Sequence, residues 1–536
     1  DCEGLEGLAK IALAGGLRDQ AVDSGAAWLG NEQSPNLAPH LASKLLKLPG
    51  ERLQTTLDAD LQRFAGDSLR RQLQGIARQN AEDGAVLVVD NASGEVLAWV
   101  GSSGSLSAAP EVDGVTALRQ AGSTLKPFLF ALAFEQRRLT AASLLDDSPL
   151  AITTSNGLYV PQNYAPAYRG WVSARMALGG SLNVPAVRTL VMVTPDAFHR
   201  QLGAMGLPLR ESGDYFGYSL ALGSPEVPLL HLTNAFRTLA NGGRASAVAV
   251  AAVADAKPLF TPALDARAAF IVGDILSDGN ARARTFGTDS VLATRFWSAV
   301  KTGTSKDMRD NWAVGWSERY TVGVWVGNAS GAAMHEVSGT SGAAPIWAAV
   351  MGFLHAREPS RAPKAPPGLV RTAVRFGPGP SSGAGAPQPL EAARDEWFVP
   401  GTQQPLFAMD SIADEAYGTS ASGQKTSKSA ARAPAAPASA SVAAPARISA
   451  PASGTVIALD PDIPPARQRL QFTATRDAVQ WRLDGKPLGR GARVPWLPWP
   501  GRHVVQIIDA QGQVLDEVRL DVRGAGVVAA PTRAGA

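Results

Sequence analysis

The composition between residues 361 and 447 constrains this chain more than any other feature. Pro, Ala, Gly and Ser dominate there, in tracts such as "GPGPSSGAGAPQP" and "SASGQKTSKSAARAPAAPASASVAAPA". Such tracts bury too little apolar surface to offset backbone ordering, at about 1 to 2 kcal/mol per residue, and read as linker. The chain must therefore fold as separate pieces on either side of it. Within the linker, the piece around "EWFVPGTQQP" is more apolar and is expected to dock back onto the preceding domain.

Before the linker, residues 51–360 alternate helical and strand-like patterns. A helical stretch from Leu57 to Gln79 leads into "GAVLVVDNASGEVLAWVG", two strands joined by an Asn-Ala-Ser-Gly turn. An all-apolar run, "FLFALAF" from Phe128 to Phe134, lacks strand alternation and predicts a buried helix starting near Ser123. Two further helices meet at "GGSLNVP", where glycines and Pro185 separate them, and "LLHLTNAFRTLA" stops at Asn241-Gly242-Gly243. Strand-like runs at 296–305, 311–317 and 320–328 precede an apolar helix, "APIWAAVMGFLHA". Hairpin, helices, strand meander and closing helix describe an α+β domain built on one antiparallel sheet. After the linker, residues 448–526 alternate with regular turns and predict a small all-β, immunoglobulin-like sandwich.

Composition excludes several classes of function. The net charge of +3 comes from 50 basic and 47 acidic residues without long same-sign runs, so no nucleic-acid partner is expected. A single cysteine, Cys2, rules out an intrachain disulfide framework and a cysteine metal cluster. The six histidines are scattered without ligand spacing, so neither metal nor cofactor is expected. No stretch reaches the roughly 20 apolar residues of a membrane span, and the first residues lack the pattern of a signal peptide.

Three short motifs carry the chemistry. Ser123 and Lys126 in "GSTLKP" are three apart and share a helix face, which would bring a hydroxyl and an amine together. Ser181 and Asn183 follow on the break between two helices, and Lys301, Thr302 and Gly303 come at the end of a strand. Singly these matches are weak: Ser422 with Lys425, in the linker, and Ser34 with Asn36 repeat two of them. In this order and context they form the set that serine acyl-transfer enzymes of the penicillin-binding class use. A serine hydroxyl needs a base, and Lys126 serves as one only if burial, a helix N-terminus and a second cation at Lys301 depress its pKa. Ser181 would relay protons between Lys126, Lys301 and a leaving amine, and Asn183 would hold a substrate amide. Thr302, Thr304 and Lys301 suit a carboxylate, Gly303 lets an added strand lie close, and the backbone N–H groups of Ser123 and Thr304 suit an oxyanion hole.

Blander readings exist for each residue: helix capping for Ser181 and Asn183, β-propensity for Thr302 and Thr304, and core packing for Trp297, Trp312, Trp316 and Trp325. The rival serine-histidine arrangement fails, because the GxSxG at 379–383 falls in the linker without a strand-to-helix elbow.

Over about residues 51–360, "AGSTLKPF", "GGSLNVPAVR", "KTGTSKDMRDNWAVGW" and "GVWVGN" resemble the transpeptidase domain of class A penicillin-binding proteins. The sandwich resembles a C-terminal module carried by one branch of that family. The resemblance implies a penicillin-binding, serine β-lactamase-like fold and a periplasmic D,D-transpeptidase acting through a Ser123 acyl-enzyme. It implies D-Ala-D-Ala stem peptides of peptidoglycan and β-lactam antibiotics as ligands. Family members usually begin with a membrane anchor and a glycosyltransferase domain. The acidic stretch of the latter is absent here, so residues 1–50 read as the connection to a missing domain and glycan polymerisation is not expected. Ala121 stands where a proline is common. Two alternatives remain beside transpeptidation: hydrolysis on the same scaffold, against which the absence of an ExxLN element counts for a β-lactamase, and a non-catalytic binding module. The sandwich offers a possible protein contact at "VPWLPWPG", with packing as the competing use.

Overall fold

A computed structural model describes residues 36–154, 157–163, 167–252, 257–287, 289–378, 389–408, 446–451, 453, 455–458, 469–476, 479–499, 501–509 and 511–523. Cys2, Ser34, the GxSxG serine and the Ser422/Lys425 pair lie outside the described residues. The chain divides into two compact units, one of Asp1–Ser148, Asn163–Arg375 and Glu391–Pro405, the other of Pro149–Gln162, Phe376–Leu390 and Leu406–Ala536.

The first unit is organised on a five-stranded sheet. Its strands are β1 (Asp83–Asp90), β2 (Val96–Val100), β3 (Ala299–Thr304), β4 (Asp310–Trp316) and β5 (Tyr320–Gly327), in the order β3-β4-β5-β1-β2 with every neighbour antiparallel. The β1–β2 hairpin turns at Asn91–Gly94, where Gly94 takes φ +78°. Its first strand is buried from Asp83 to Val89, because both faces of the sheet are covered.

One face is covered by α1 (Ala59–Gly75) and the closing helix α6 (Ala344–Leu354). Leu61, Ala65, Leu69 and Leu73 of α1 and Ile346, Trp347 and Val350 of α6 form one core with Val86, Val88, Val322 and Val324 of the sheet. The start of α1 is fixed by Asp58, whose Oδ1 accepts from the N–H groups of Asp60 and Leu61 at 2.9 Å each, a cap worth about 1 kcal/mol. The other face meets α5 (Leu229–Ala240), on which Phe236 stacks edge-on against both Phe128 and Trp316. Phe128 belongs to α2 (Lys126–Glu135), every residue of which from Lys126 to Phe134 is buried. Among the described residues no helix is long and apolar enough to cross a membrane.

The stretch read as linker holds ordered structure in this unit. Arg394–Phe398 pairs antiparallel with Val370–Val374. Fully buried Glu396 makes a bidentate pair with Arg175 of α3 (Ala174–Gly179), at 2.7 Å on each arm, and Arg175 also reaches Asp274 at 2.5 Å. Glu391 accepts from the Ser173 N–H at 2.7 Å, so this segment grips the N-terminal end of α3.

In the second unit a seven-stranded and a three-stranded sheet enclose a core of Phe472, Trp481, Trp496, Val505, Ile507 and Leu520. Sequence reading placed residues 149–162 inside the first domain. Their strand Gly157–Tyr159 instead joins the seven-stranded sheet, parallel to Thr455–Ala458 with Leu158 opposite Ile457. Of the "VPWLPWPG" aromatics, Trp496 packs in the core while Trp499 is 42% exposed.

Candidate active site

The GSTLKP stretch departs from the expected helix start. Gly122–Leu125 forms a 3-10 turn and the α-helix begins at Lys126, with Pro127 in its first turn, where a missing N–H costs nothing. Ser123 therefore sits on a tight, half-buried turn immediately before α2. Two neighbours fix that turn. Ala121 N–H donates to Pro225 O and Gly122 N–H to Gly223 O, both at 2.9 Å, and Gly303 and Thr304 of strand β3 pack directly against the turn.

That approach requires glycine on both partners. Gly122 holds φ +54°, and a Cβ there would stand 2.8 Å from Thr304 O; a Cβ on Gly303 would stand 2.7 Å from Thr124 Cγ2 and 3.0 Å from Ala121 O. The close contact that Gly303 permits is thus with the serine turn from inside the protein, where the motif alone suggests the substrate side. Strand β3 is an edge of the sheet, with a strand partner on one side only.

Lys126 and Lys301 converge on the break between α3 and α4 (Asn183–Val193). Lys126 Nζ donates to Ser181 O at 2.8 Å and to Asn183 Oδ1 at 2.6 Å. Lys301 Nζ donates to Ser181 Oγ at 2.7 Å and to Thr302 O at 2.8 Å. Neither ammonium bonds to Ser123, whose hydroxyl makes no hydrogen bond among the described residues; the shared helix face expected from the sequence is lost because Ser123 precedes the helix. Ser181 holds the left-handed φ of +57° that aims its Oγ and carbonyl at the two lysines, a backbone state that non-glycine residues keep only where surroundings impose it. Asn183 is not on the break but is the first residue of α4.

Both lysines are buried, and burial is the main reason that their pKa values fall. Lys126 is held well below the usual lysine range by desolvation and then by the Lys301 charge, against the opposing pull of Asp147. Lys301 is pushed down to about 7 by desolvation.

Helix capping does not explain Ser181 and Asn183: the N-cap of α4 is Leu182, and no cap side chain bonds there. The role is taken by Asn163, whose Oδ1 accepts from Asn183 N at 3.0 Å and Val184 N at 3.3 Å. Its Nδ2 donates at 2.7 Å to Asp147, a fully buried carboxylate that also accepts from Arg169 N. Sequence reading missed Asn163, Asp147 and Gly339, whose N–H donates to Thr304 Oγ1 at 3.0 Å. None stands at a recognisable spacing from a motif. Thr302 is buried on β3, and Trp312, Trp316 and Trp325 pack in the core as expected, whereas Trp297 is half-buried.

Comparison with known proteins meets this geometry. The penicillin binding protein transpeptidase domain matches residues 84–352, and the Penicillin-Binding Protein C-terminus Family matches residues 436–520. Penicillin-binding protein 1C of Escherichia coli (strain K12) is 32% identical over 386 residues, covering 71% of this chain and 49% of that protein. Penicillin-binding protein 1B of Vibrio cholerae is 30% identical over 341 residues, covering 60% and 42%. The chain thus spans about half the length of these relatives. Among solved structures, penicillin-binding protein 1A from Haemophilus influenzae has a TM-score of 0.55 at 18% identity, over 66% of this chain and 72% of that one. PonA1 from Mycobacterium tuberculosis, in complex with penicillin V, has a TM-score of 0.50 at 24% identity, over 59% and 88%. These last two likenesses are of fold. With a transpeptidase-domain match over half its length, carried on the sheet and serine turn described above, the chain belongs to the penicillin-binding protein transpeptidase family.

Proposed function

We propose that the chain is a peptidoglycan D,D-transpeptidase working through a Ser123 acyl-enzyme. The observation that carries this reading is the pair of buried lysines converging on Ser181 and Asn183, next to the Ser123 turn and the edge strand β3. A stem peptide ending in D-Ala-D-Ala adds to that edge as a strand, and its carboxylate meets the hydroxyls of Thr302 and Thr304 and the charge of Lys301. Ser123 Oγ attacks the carbonyl carbon of the penultimate residue while its proton passes to neutral Lys126 Nζ. The backbone N–H groups of Ser123 and Thr304 receive the oxyanion, at about 3 to 4 kcal/mol per donor.

Collapse of the tetrahedral adduct breaks the C–N bond, and the leaving D-Ala amine takes a proton relayed through Ser181 from Lys126 or Lys301. An amine of a neighbouring stem then attacks the ester carbonyl, gives up a proton to the same relay, and Ser123 is released. Water in place of the amine turns the same cycle into a carboxypeptidase reaction. β-Lactams acylate Ser123 and stay, because their opened ring cannot depart. The domain boundaries 51–360, interrupted by the excursion at 149–162, and 448–526, together with placement on the periplasmic side of the inner membrane and a protein partner for the sandwich, belong to the same proposal.

Incubation with a fluorescent penicillin, followed by peptide mass spectrometry, tests it. The expected result is a stable adduct on Ser123 that Ser123→Ala abolishes. Folded protein that takes up no label would overturn the acyl-enzyme reading.

A further inference from the structure

The four residues of the lysine cluster do not hold themselves in place. Lys126 Nζ rests on Asn183 Oδ1 at 2.6 Å, and the backbone N–H groups of Asn183 and Val184 end on Asn163 Oδ1 at 3.0 and 3.3 Å. Asn163 Nδ2 in turn ends on Asp147 Oδ1 at 2.7 Å. This run links a fully buried carboxylate, through one side-chain amide and one helix start, to the amine that activates Ser123. Asn163 donates and accepts at once, which no aliphatic side chain and no hydroxyl of that reach reproduces.

Asp147 and Asn163 also share a topological property. The chain leaves the first unit after Ser148 and re-enters it at Asn163, so the two residues flank a single excursion. Within the second unit the excursion is built into the C-terminal module. Leu158 is buried in the sandwich core, its strand pairs with Thr455–Ala458, and Gln162 Nε2 donates to Arg469 O at 3.4 Å. The residue next to Gln162 is Asn163 itself.

We propose that Asn163, backed by Asp147, is a positioning residue for the Lys126 base, and that the C-terminal module acts on acylation through the excursion that these two residues flank. The proposal rests on the Ser123 acyl-enzyme reading. It gives the module a function beyond partner binding: a change in its hold on Gly157–Tyr159 is delivered to the start of α4, and so to Asn183 and Lys126. The charged groups acting on Lys126 are Lys301 from β3 and Asp147 from the root of the excursion.

The test uses the whole chain and reads the second-order rate constant for acylation by a fluorescent penicillin across pH, with thermal unfolding in parallel. Asn163→Ala is expected to acylate about tenfold more slowly than wild type, as a misplaced base should. Asp147→Asn keeps an acceptor for Asn163 and removes the negative charge, so the acid limb of the profile moves to lower pH; a purely structural carboxylate would lower the unfolding temperature and leave that limb in place. Leu158→Asp, or the milder Leu158→Ala if the first fails to fold, is expected to slow acylation severalfold. Val514→Ala, on the surface of the same module, leaves it unchanged. Wild-type rates and pH profiles in Asn163→Ala and Asp147→Asn overturn the positioning role. A wild-type rate in both Leu158 variants, with Asn163→Ala slow, overturns the link to the module. A wild-type chain that never labels at Ser123 fails the acyl-enzyme reading, and the positioning of its base fails with it.

Discussion

Substituting Gly303 by alanine separates two explanations of the glycine in Lys301-Thr302-Gly303. The new Cβ would stand 2.7 Å from Thr124 Cγ2 and 3.0 Å from Ala121 O. Carbon atoms prefer about 3.5 to 4.0 Å, so the serine turn must retreat by roughly 1 Å. Overpacking of this kind destabilises by about 1 to 3 kcal/mol. A reacting group displaced by about 1 Å loses on the order of 100-fold in rate. Gly303→Ala should therefore remain folded and label with fluorescent penicillin about 100-fold more slowly. Thr124→Ser removes the offending methyl while keeping the hydroxyl that donates to Ala121 O at 2.7 Å. Adding it to Gly303→Ala should recover at least about tenfold, a coupling energy that a double-mutant cycle of acylation rates measures directly. If the glycine serves only to admit a substrate strand, Thr124→Ser rescues nothing. That result, or a wild-type rate in Gly303→Ala, would refute the clash argument.

The depressed lysines predict pH effects of definite sign. If Lys301 attracts the substrate carboxylate as proposed, penicillin acylation per unit of free enzyme should fall as pH rises through about 7, where Lys301 loses its charge; a flat profile well above that value contradicts it. Because the folded pKa of Lys301 lies below the ordinary 10.5, the unfolded chain takes up the proton first as pH falls. Stability is lost between those two values and stays low beneath them. Lys301→Met should then be more stable than wild type in urea below neutral pH, by on the order of 1 to 4 kcal/mol, with the gain vanishing near 10.5. Glu396→Ala breaks the bidentate pair with Arg175 and is expected to destabilise the first unit by about 3 to 5 kcal/mol. A loss below about 1 kcal/mol in denaturant melts would show that Asp274 and Asp278 suffice for Arg175.

Local signals made most of the first unit readable. The β1–β2 hairpin announced itself through an apolar run and an Asn-to-Gly turn, and α5 through its 3.6-residue pattern and the two glycines after it. The motif residues were readable because each stands at a fixed offset from a partner. What supports them was not. Asn163 caps a helix 20 residues further on, and Glu396 neutralises an arginine 221 residues before it. Such pairings leave no periodicity, since their partners are chosen by tertiary packing. A short strand at Arg394–Phe398 inside a Pro-rich and Gly-rich stretch also lies below what pattern alone resolves. The excursion at 149–162 was misplaced for a related reason: β-pairing with a strand some 300 residues away is a property of the sheet, and three-residue strands carry almost no signal of their own.

Two lysines lie buried against Ser181, and among the described residues neither forms a hydrogen-bonded ion pair with a carboxylate. Each is satisfied by neutral acceptors: two carbonyls, an amide oxygen and a hydroxyl. Neutral acceptors hold a lysine in place without restoring its charge, so burial is left free to depress both pKa values. A carboxylate in direct contact would stabilise the fold and hold the amine charged, unfit for the proposed role of base. Asp147 stands one amide away, where it tempers Lys126 without capturing it. The destabilisation this leaves must be borne by packing elsewhere, on the two covered faces of the sheet. Stability gained by substituting Lys301 and reactivity lost by the same change are therefore two readings of one electrostatic fact.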